Sequence, residues 1–483
     1  MSWRTPSNDD AQRHPPALVS AAGIRNHHIA NTAYPLAHDR TWGSYRVARG
    51  DVREVATKAW DGIRDMCLYV HVPFCEKRCS FCEYTVVGKN ESDDASVVSY
   101  FDAMLAELHD WERTIGTSDR VLHGLDIGGG TPSFAPASQI RRVLDAVREK
   151  WAFDPRSDIS IETTPLIAAG DLTKLEAYRS MGIDRISMGV QVVQPDLLRL
   201  LDRAENGAAH HFRAVENIRR AGFDRFNVDL MYGFHEQSLA SWEATLAHAI
   251  ALKPEYITLY RMRYKLTRIS HHAPHVALDA VQPLAALSKT MLQAAGYEAS
   301  PGKTTFSRIK GDVGTSSYLA KRVQEGMPYL GIGLGAQTFT HTTISYNDGS
   351  VGKNLAPYLR SVHEGRLPIQ DLYDLPAVQM MAKACAVAFY FGEIERAPFL
   401  RKFGVPLEEV FSREIEFLER KGWMRLSDRA LSLTSEGAAW TPGIIPLFYG
   451  PSAQRYLIER DPETATDMQM NRKLALKVSL VRS

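Results

Sequence analysis

The sequence predicts an α/β protein built on a parallel sheet with crossover helices. Two observations carry this. Six short apolar runs alternate with five longer amphipathic segments between Leu68 and Met262. Met181-Gly182 and Ala221-Gly222 stop two of those amphipathic segments just before the next strand begins. Strands separated by helix-length segments cannot pair as hairpins, so they pair in parallel through crossovers.

In chain order, residues 1–50 form an N-terminal arm. Its first 45 residues are rich in Pro, Ser, Asn and His, show no helical period, and are expected to be loose at their start. Residues 51–64 suit a short helix leading into the first strand. The strands read as Leu68–Val72, Gly124–Gly128, Asp158–Thr163, Arg185–Val190, Phe226–Met231 and Tyr256–Met262. Between them, the helices read as Val97–Thr114, Ser138–Lys150, Asp171–Met181, His210–Ala221 and Leu239–Leu252. A further helix spans Val281–Ala295, within a core region of residues 51–345. Residues 346–440 form a separate domain, with three helical segments and a hairpin over Trp423–Leu433. Residues 441–483 are a tail without a readable pattern.

Composition narrows the function classes. The chain has 483 residues and a formal net charge of +1, so no global field favours nucleic acid or an anionic membrane. No apolar run reaches the length of a membrane span, and the first residues show no apolar signal core. Five cysteines do not make a disulfide framework, and reduced thiols suit a cytoplasmic protein.

Three of those cysteines, Cys75, Cys79 and Cys82, fall in the spacing CxxxCxxC directly after the first strand. Thiolates are soft ligands for iron–sulfur clusters and for zinc. Three of them would leave one iron of a four-iron cubane open to a ligand. Zinc would want a fourth ligand, and His71 on a strand beside Pro73 reads as a packed neighbour. Spacing alone leaves cluster, zinc and simple packing open.

The string Tyr-Val-His-Val-Pro-Phe-Cys over Tyr69–Cys75, followed by the triad, resembles the radical S-adenosylmethionine (SAM) superfamily. It is most similar to the HemN-like branch that contains oxygen-independent coproporphyrinogen III oxidase. Gly128-Gly129-Gly130-Thr131-Pro132, Ile159–Glu162, Ser187–Gln191 and Asn227–Gly233 match in the same order, each at a predicted strand end. Ligand sites in such sheets lie at the carboxyl ends of strands.

The resemblance implies a partial (β/α)6 barrel, with residues 346–440 as a winged-helix-like lid. It implies a [4Fe-4S] cluster on Cys75, Cys79 and Cys82, with SAM on the open iron. It assigns Tyr69 and Phe81 to the flanks of the cluster and adenine, and Gly129, Gly130 and Thr131 to the amino-acid part of SAM. Glu162, Gln191, Arg203 and Asp229 become ligand contacts, although each alone reads as an ordinary polar group at a strand end. Arg263 and Gln337 fall where a second SAM is contacted. A small-molecule substrate and an electron donor such as flavodoxin or ferredoxin are implied as partners.

Two positions depart from the coproporphyrinogen oxidase pattern. Tyr84 stands where those oxidases carry a further cysteine, and Ala30 where they carry an arginine. These departures weigh against coproporphyrinogen, and the chain then resembles the methyltransferase and cyclopropanase group related to that oxidase, which implies C-methylation or related carbon–carbon bond formation with a second SAM as the leading expectation. Coproporphyrinogen or haem modification and haem chaperoning are the alternatives.

Three other features invite a function. Arg261, Arg263 and Lys265 alternate and would share one face of a strand, able to hold a carboxylate or to end in solvent. His271, His272 and His275 read as a solvated loop more readily than a metal site. Leu330–Ala336 alternates glycine with apolar residues and suits packed turns better than a nucleotide loop.

Overall fold

The computed structural model describes residues 3–116 and 120–461. The chain divides into two compact units: Arg46–Ala299 with Thr304–Asp374, and Met1–Tyr45 with Ser300–Lys303 and Leu375–Ser483.

The larger unit is an α/β domain around one mixed sheet. Its parallel strands are β1 (Asp65–Val72), β2 (Val121–Gly129), β3 (Ile159–Thr163), β4 (Arg185–Gln191), β5 (Arg225–Tyr232) and β6 (Tyr256–Arg261). They lie side by side in chain order. β7 (Thr305–Ser307) pairs antiparallel with β6, and β8 (Tyr329–Ile332) extends the other edge parallel to β1. Three antiparallel strands follow: β9 (Gln337–Phe339), β10 (Thr343–Asn347) and β11 (Ile369–Asp374). The strand path is open, with no closed barrel among the described residues. The six parallel strands are those read from the sequence; β8–β11 were not legible as sheet.

Crossover helices cover one face: α1 (Asp94–Ile115), α2 (Ala137–Lys150), α3 (Leu172–Ser180), α4 (Ala208–Arg220) and α5 (Leu239–Ala251). Asp93, Asp171 and Ser238 cap α1, α3 and α5 by accepting from backbone N–H groups of the first turn.

The parallel strands alternate with period two. Leu68, Val70, Leu125, Ile127, Ile161, Ile186, Met188, Val228, Leu230 and Ile257 are buried in the apolar core. The intervening residues form polar rows across the other face. Tyr69 aligns with Asp126 and Ser160; Glu162 aligns with Ser187 and Asn227; Asp229 aligns with Gly189 and Thr258. A parallel sheet packed on both faces reads as unbroken apolar runs. This one keeps one face polar, as a surface that receives a ligand must.

The amino end of β2 and β3 is blocked by the helix Ser317–Gln324. A Cβ on Gly124 would lie 2.2 Å from the Tyr318 nitrogen, so only glycine admits this helix start. Ser316 donates to Asp126 (2.9 Å), and Ser317 to Asp158 (2.7 Å).

The smaller unit joins the two ends of the chain. The arm contains a helix, Pro16–Arg25, which corrects the expectation of no helix there. Its sequence shows no clear apolar stripe because Ser20, Ala22 and Gly23 are buried through small size. Gln379, fully buried, binds Trp42 (2.7 Å), Tyr34, Asp10 (2.8 Å) and Ser452 (3.0 Å) within the same unit. The expected hairpin is present as Met424–Leu426 and Ala430–Leu433, with Glu393–Glu395 as a third strand.

Candidate cofactor-binding site

The site grows from the exit of β1. Pro73 ends the strand, and Phe74–Cys75 makes a short parallel pairing with Val87–Gly88. The intervening residues are a loop carrying Cys75, Cys79 and Cys82. Cys75 is buried and lies 3.5 Å from the Thr131 hydroxyl. Burial pushes its thiol up to about 12, against the hydrogen bond from Thr131 and with the neighbouring Cys79 and Cys82 adding to the rise. Burial likewise raises Cys82, while the Tyr84 backbone N–H hydrogen-bonds to its sulfur and lowers it. The three thiols therefore share one electrostatic neighbourhood, and deprotonating them there calls for a soft cationic partner.

The loop is held from several sides. Arg203 donates to Cys79 Sγ (3.6 Å) and to the Gly189 carbonyl (2.5 Å). Ser80 donates to the Leu200 carbonyl (2.5 Å), and His71 Nε2 lies 2.9 Å from the Thr85 carbonyl. Phe81 is half-buried against an apolar cluster of Val192, Leu197, Leu201, Met231 and Phe234.

Gly129 and Gly130 must be glycine. A Cβ on Gly129 (φ +118°) would meet the His71 ring at 2.7 Å, and one on Gly130 would meet the Pro73 carbonyl at 2.5 Å. The backbone N–H groups of this turn bond within the protein. Gly129 N–H bonds Glu162, Gly130 N–H bonds Val72 O (2.8 Å), and Thr131 N–H bonds Phe74 O (2.8 Å). The Thr131 carbonyl is likewise engaged, accepting from Phe134 N–H (2.8 Å).

Three carboxyls converge on the polar face. Glu162 is exposed to solvent, with protein packed around its carboxyl. Burial, then the charges of Asp229 and Asp126, push it up to about 8. Burial raises Asp229 despite hydrogen bonds from Ser187 (2.7 Å) and Asn227 (2.8 Å). Burial also pushes Asp126 up to about 6. Clustered acids that resist ionisation are relieved by a bound cation. Tyr69 belongs to the same neighbourhood, its phenol feeling Glu162.

Three buried polar atoms around this region have no protein partner: Arg78 Nε, Arg203 Nε and Gln191 Oε1. Gln191 also holds φ +68°, a left-handed conformation costly for its residue type. Buried unpaired polar atoms are rare enough that a group of them marks a ligand site. The donor set and these orphans fit a thiolate-bound iron–sulfur group with a polar cofactor beside it.

Other expected residues lie apart from this constellation or are engaged elsewhere. Arg263 pairs with Glu83, and Gln337 accepts from Tyr329. β6 ends at Arg261, so Arg263 and Lys265 do not share a strand face with it; the chain turns instead toward the cysteine loop. His271, His272 and His275 lie in a short 3-10 turn, with the rings of His272 and His275 at 5.3 and 5.5 Å from His235. Among the described residues no group of three or more His, Cys, Asp or Glu is arranged to hold a single metal ion. Asp126 was missed in sequence reading; its signal was a charged residue inside the apolar strand Gly124–Gly128.

Residues 69–249 match the model of the Radical SAM superfamily. The oxygen-independent coproporphyrinogen III oxidase of Salmonella typhimurium is 26% identical over 398 residues, covering 77% of this chain and 83% of that protein. The heme chaperone HemW of Bacillus subtilis is 25% identical over 397 residues, covering 79% of this chain and 98% of that one. The solved coproporphyrinogen III oxidase (HemN) of Escherichia coli superposes with a TM-score of 0.71 at 22% identity, over 86% of this chain and 96% of that one. It shares the fold. The chain thus carries a radical SAM domain, with coproporphyrinogen III oxidases and haem chaperones among its homologues.

Proposed function

We propose that this radical SAM enzyme holds a [4Fe-4S] cluster on Cys75, Cys79 and Cys82 and binds SAM against Glu162 and Asp229. We propose further that it acts on a small molecule of the tetrapyrrole class. The observation that carries the cofactor reading is the meeting of three thiols on the loop after β1, the carboxyls of Glu162 and Asp229 on the polar face of the sheet, and three orphaned polar atoms. When bound, cluster and SAM together supply a 5′-deoxyadenosyl radical by one-electron cleavage of the sulfonium. The protein's own part is to bind and orient. Glu162 and Asp229 offer charge to the cationic cofactor, and Arg203 holds the Cys79 corner. The apolar cluster behind Phe81 anchors one side of the cysteine loop.

The tetrapyrrole class is supported by the coproporphyrinogen III oxidases and haem chaperones among the homologues. Methyl transfer, the leading expectation from sequence, gains no support from them, and a second SAM is not part of this proposal. Coproporphyrinogen itself is not singled out. Tyr84 and Ala30 replace residues of that oxidase pattern, and Ala30 is buried, so an arginine there would not fit unchanged. A cytoplasmic setting and a protein electron donor belong to the same proposal.

The test is anaerobic reconstitution followed by mass spectrometry of SAM products with reduced and oxidised tetrapyrroles. The expected result is 5′-deoxyadenosine formed in proportion to tetrapyrrole converted. S-adenosylhomocysteine with no tetrapyrrole converted would restore methyl transfer. A tight haem Soret band with no turnover would make the protein a chaperone. Cys79→Ala is expected to abolish cluster loading; unchanged iron and sulfide content in that variant would defeat the ligand assignment.

A further inference from the structure

The loop bearing the cysteines is surrounded by cations supplied from distant segments. Arg203 reaches Cys79 Sγ. Arg268 donates to the Arg78 carbonyl (2.6 Å) through its side chain and to the Ser80 carbonyl (3.0 Å) through its backbone. Arg263 pairs with the Glu83 carboxylate. Lys353 donates from Nζ to the Glu83 carbonyl (2.8 Å), one residue beyond Cys82.

Lys353 differs from the other three. Its segment lies far along the chain, after β10, and is seated on the cysteine loop by Thr85, which donates to the Gly349 carbonyl (3.3 Å). Lys353 holds φ +51°, a left-handed conformation unfavourable for lysine, and its N–H bonds back to Gly349 O (3.0 Å). Strained backbone persists where surrounding contacts impose it, and such positions gather at functional sites. Its ammonium is half-buried, which lowers its pKa; the charge of Arg78 lowers it further and that of Cys82, the residue before Glu83, raises it.

We propose that Lys353 is a positioning residue that braces the cysteine loop and sets the reduction potential of the cluster held there. This rests on the cluster assignment above. A cluster ligated by three thiolates gains negative charge on reduction. A partly buried ammonium beside Cys82 stabilises the reduced form more than the oxidised form and raises the potential. The contact with Glu83 O keeps that charge in place and orients the Cys82 corner.

The experiment uses the full chain reconstituted anaerobically, with EPR-monitored redox titration of the cluster in the absence of SAM and substrate. Lys353→Gln keeps a hydrogen-bond donor but removes the charge; Lys353→Arg keeps both. The glutamine variant is expected to load iron and sulfide as the wild type does, with its midpoint shifted to more negative potential. The arginine variant is expected to restore the wild-type midpoint. An unchanged midpoint in Lys353→Gln, or failure of that variant to load, overturns the proposal, because the donor was retained. A wild-type protein that takes up no cluster would instead overturn the cofactor reading itself.

Discussion

Glu162 meets two opposing demands. Its surroundings disfavour its charge, and the ligand proposed for it is a cation. Pushed up to about 8, its carboxyl is largely protonated at neutral pH in the free protein. Binding a sulfonium or ammonium group requires the carboxylate, so SAM affinity is expected to rise as pH increases through about 8. Calorimetry on the cluster-loaded protein between about pH 6.5 and pH 9 checks this. Glu162→Gln should keep only the slope that the ligand's own amine contributes, and should bind about tenfold or more weakly at the high end, from loss of about 1.5–3 kcal/mol. Identical profiles for the two proteins would make Glu162 structural.

At the scale of elements, α1 and the glycine-rich segment after β8 are joined by a buried carboxyl. Glu107 of α1 accepts from Gly333 N–H (2.8 Å), Tyr358 Oη (2.7 Å) and Asn347 Nδ2 (2.7 Å). Gly333 is at φ +98°, and a Cβ there would meet the His71 carbonyl at 2.6 Å. The glycines are therefore packing positions against β1, as the sequence favoured. Glu107→Ala would leave three buried donors unpaired and is expected to cost about 3 kcal/mol or more, read as a lowered denaturant midpoint. Burial pushes Glu107 up to about 7 from its ordinary 4.5. The folded state then holds the proton more tightly than the unfolded state. This contribution is fully present below about 4.5 and is lost as pH rises to about 7. Stability measured across that window should fall more steeply for the wild type than for Glu107→Gln.

For the whole molecule, the chain's ends matter together. Gln379 draws Asp10, Tyr34 and Trp42 from the arm into the core of the smaller unit. A chain beginning at Arg46 would leave that amide buried without most of its partners. Limited proteolysis with mass spectrometry is expected to show residues 375–461 cut rapidly in the truncated chain while the sheet of the larger unit persists. Equal protection of 375–461 in both chains would show that the arm is dispensable for folding.

The sequence by itself determined the α/β class, the six parallel strands to within a few residues, and the cysteine triad. Those features are local: a strand's apolar period, a helix stop, a ligand spacing. Glu162 and Asp229 were legible as polar breaks at strand ends. Tertiary structure alone decided what those residues do to one another. Burial holds all three of Asp126, Glu162 and Asp229 back from ionisation, and strand register sets the first and last where their charges add to the rise at Glu162, although 36 residues part the first two and 67 the second pair. It spent the N–H groups of Gly130 and Thr131 on β1 and its exit, and turned Arg263 away from the line of β6. It added β8–β11, whose short strands alternate too briefly to be read. It also delivered Lys353 to Cys82 across 271 residues. A charge acts through space, and the sequence records only separation along the chain.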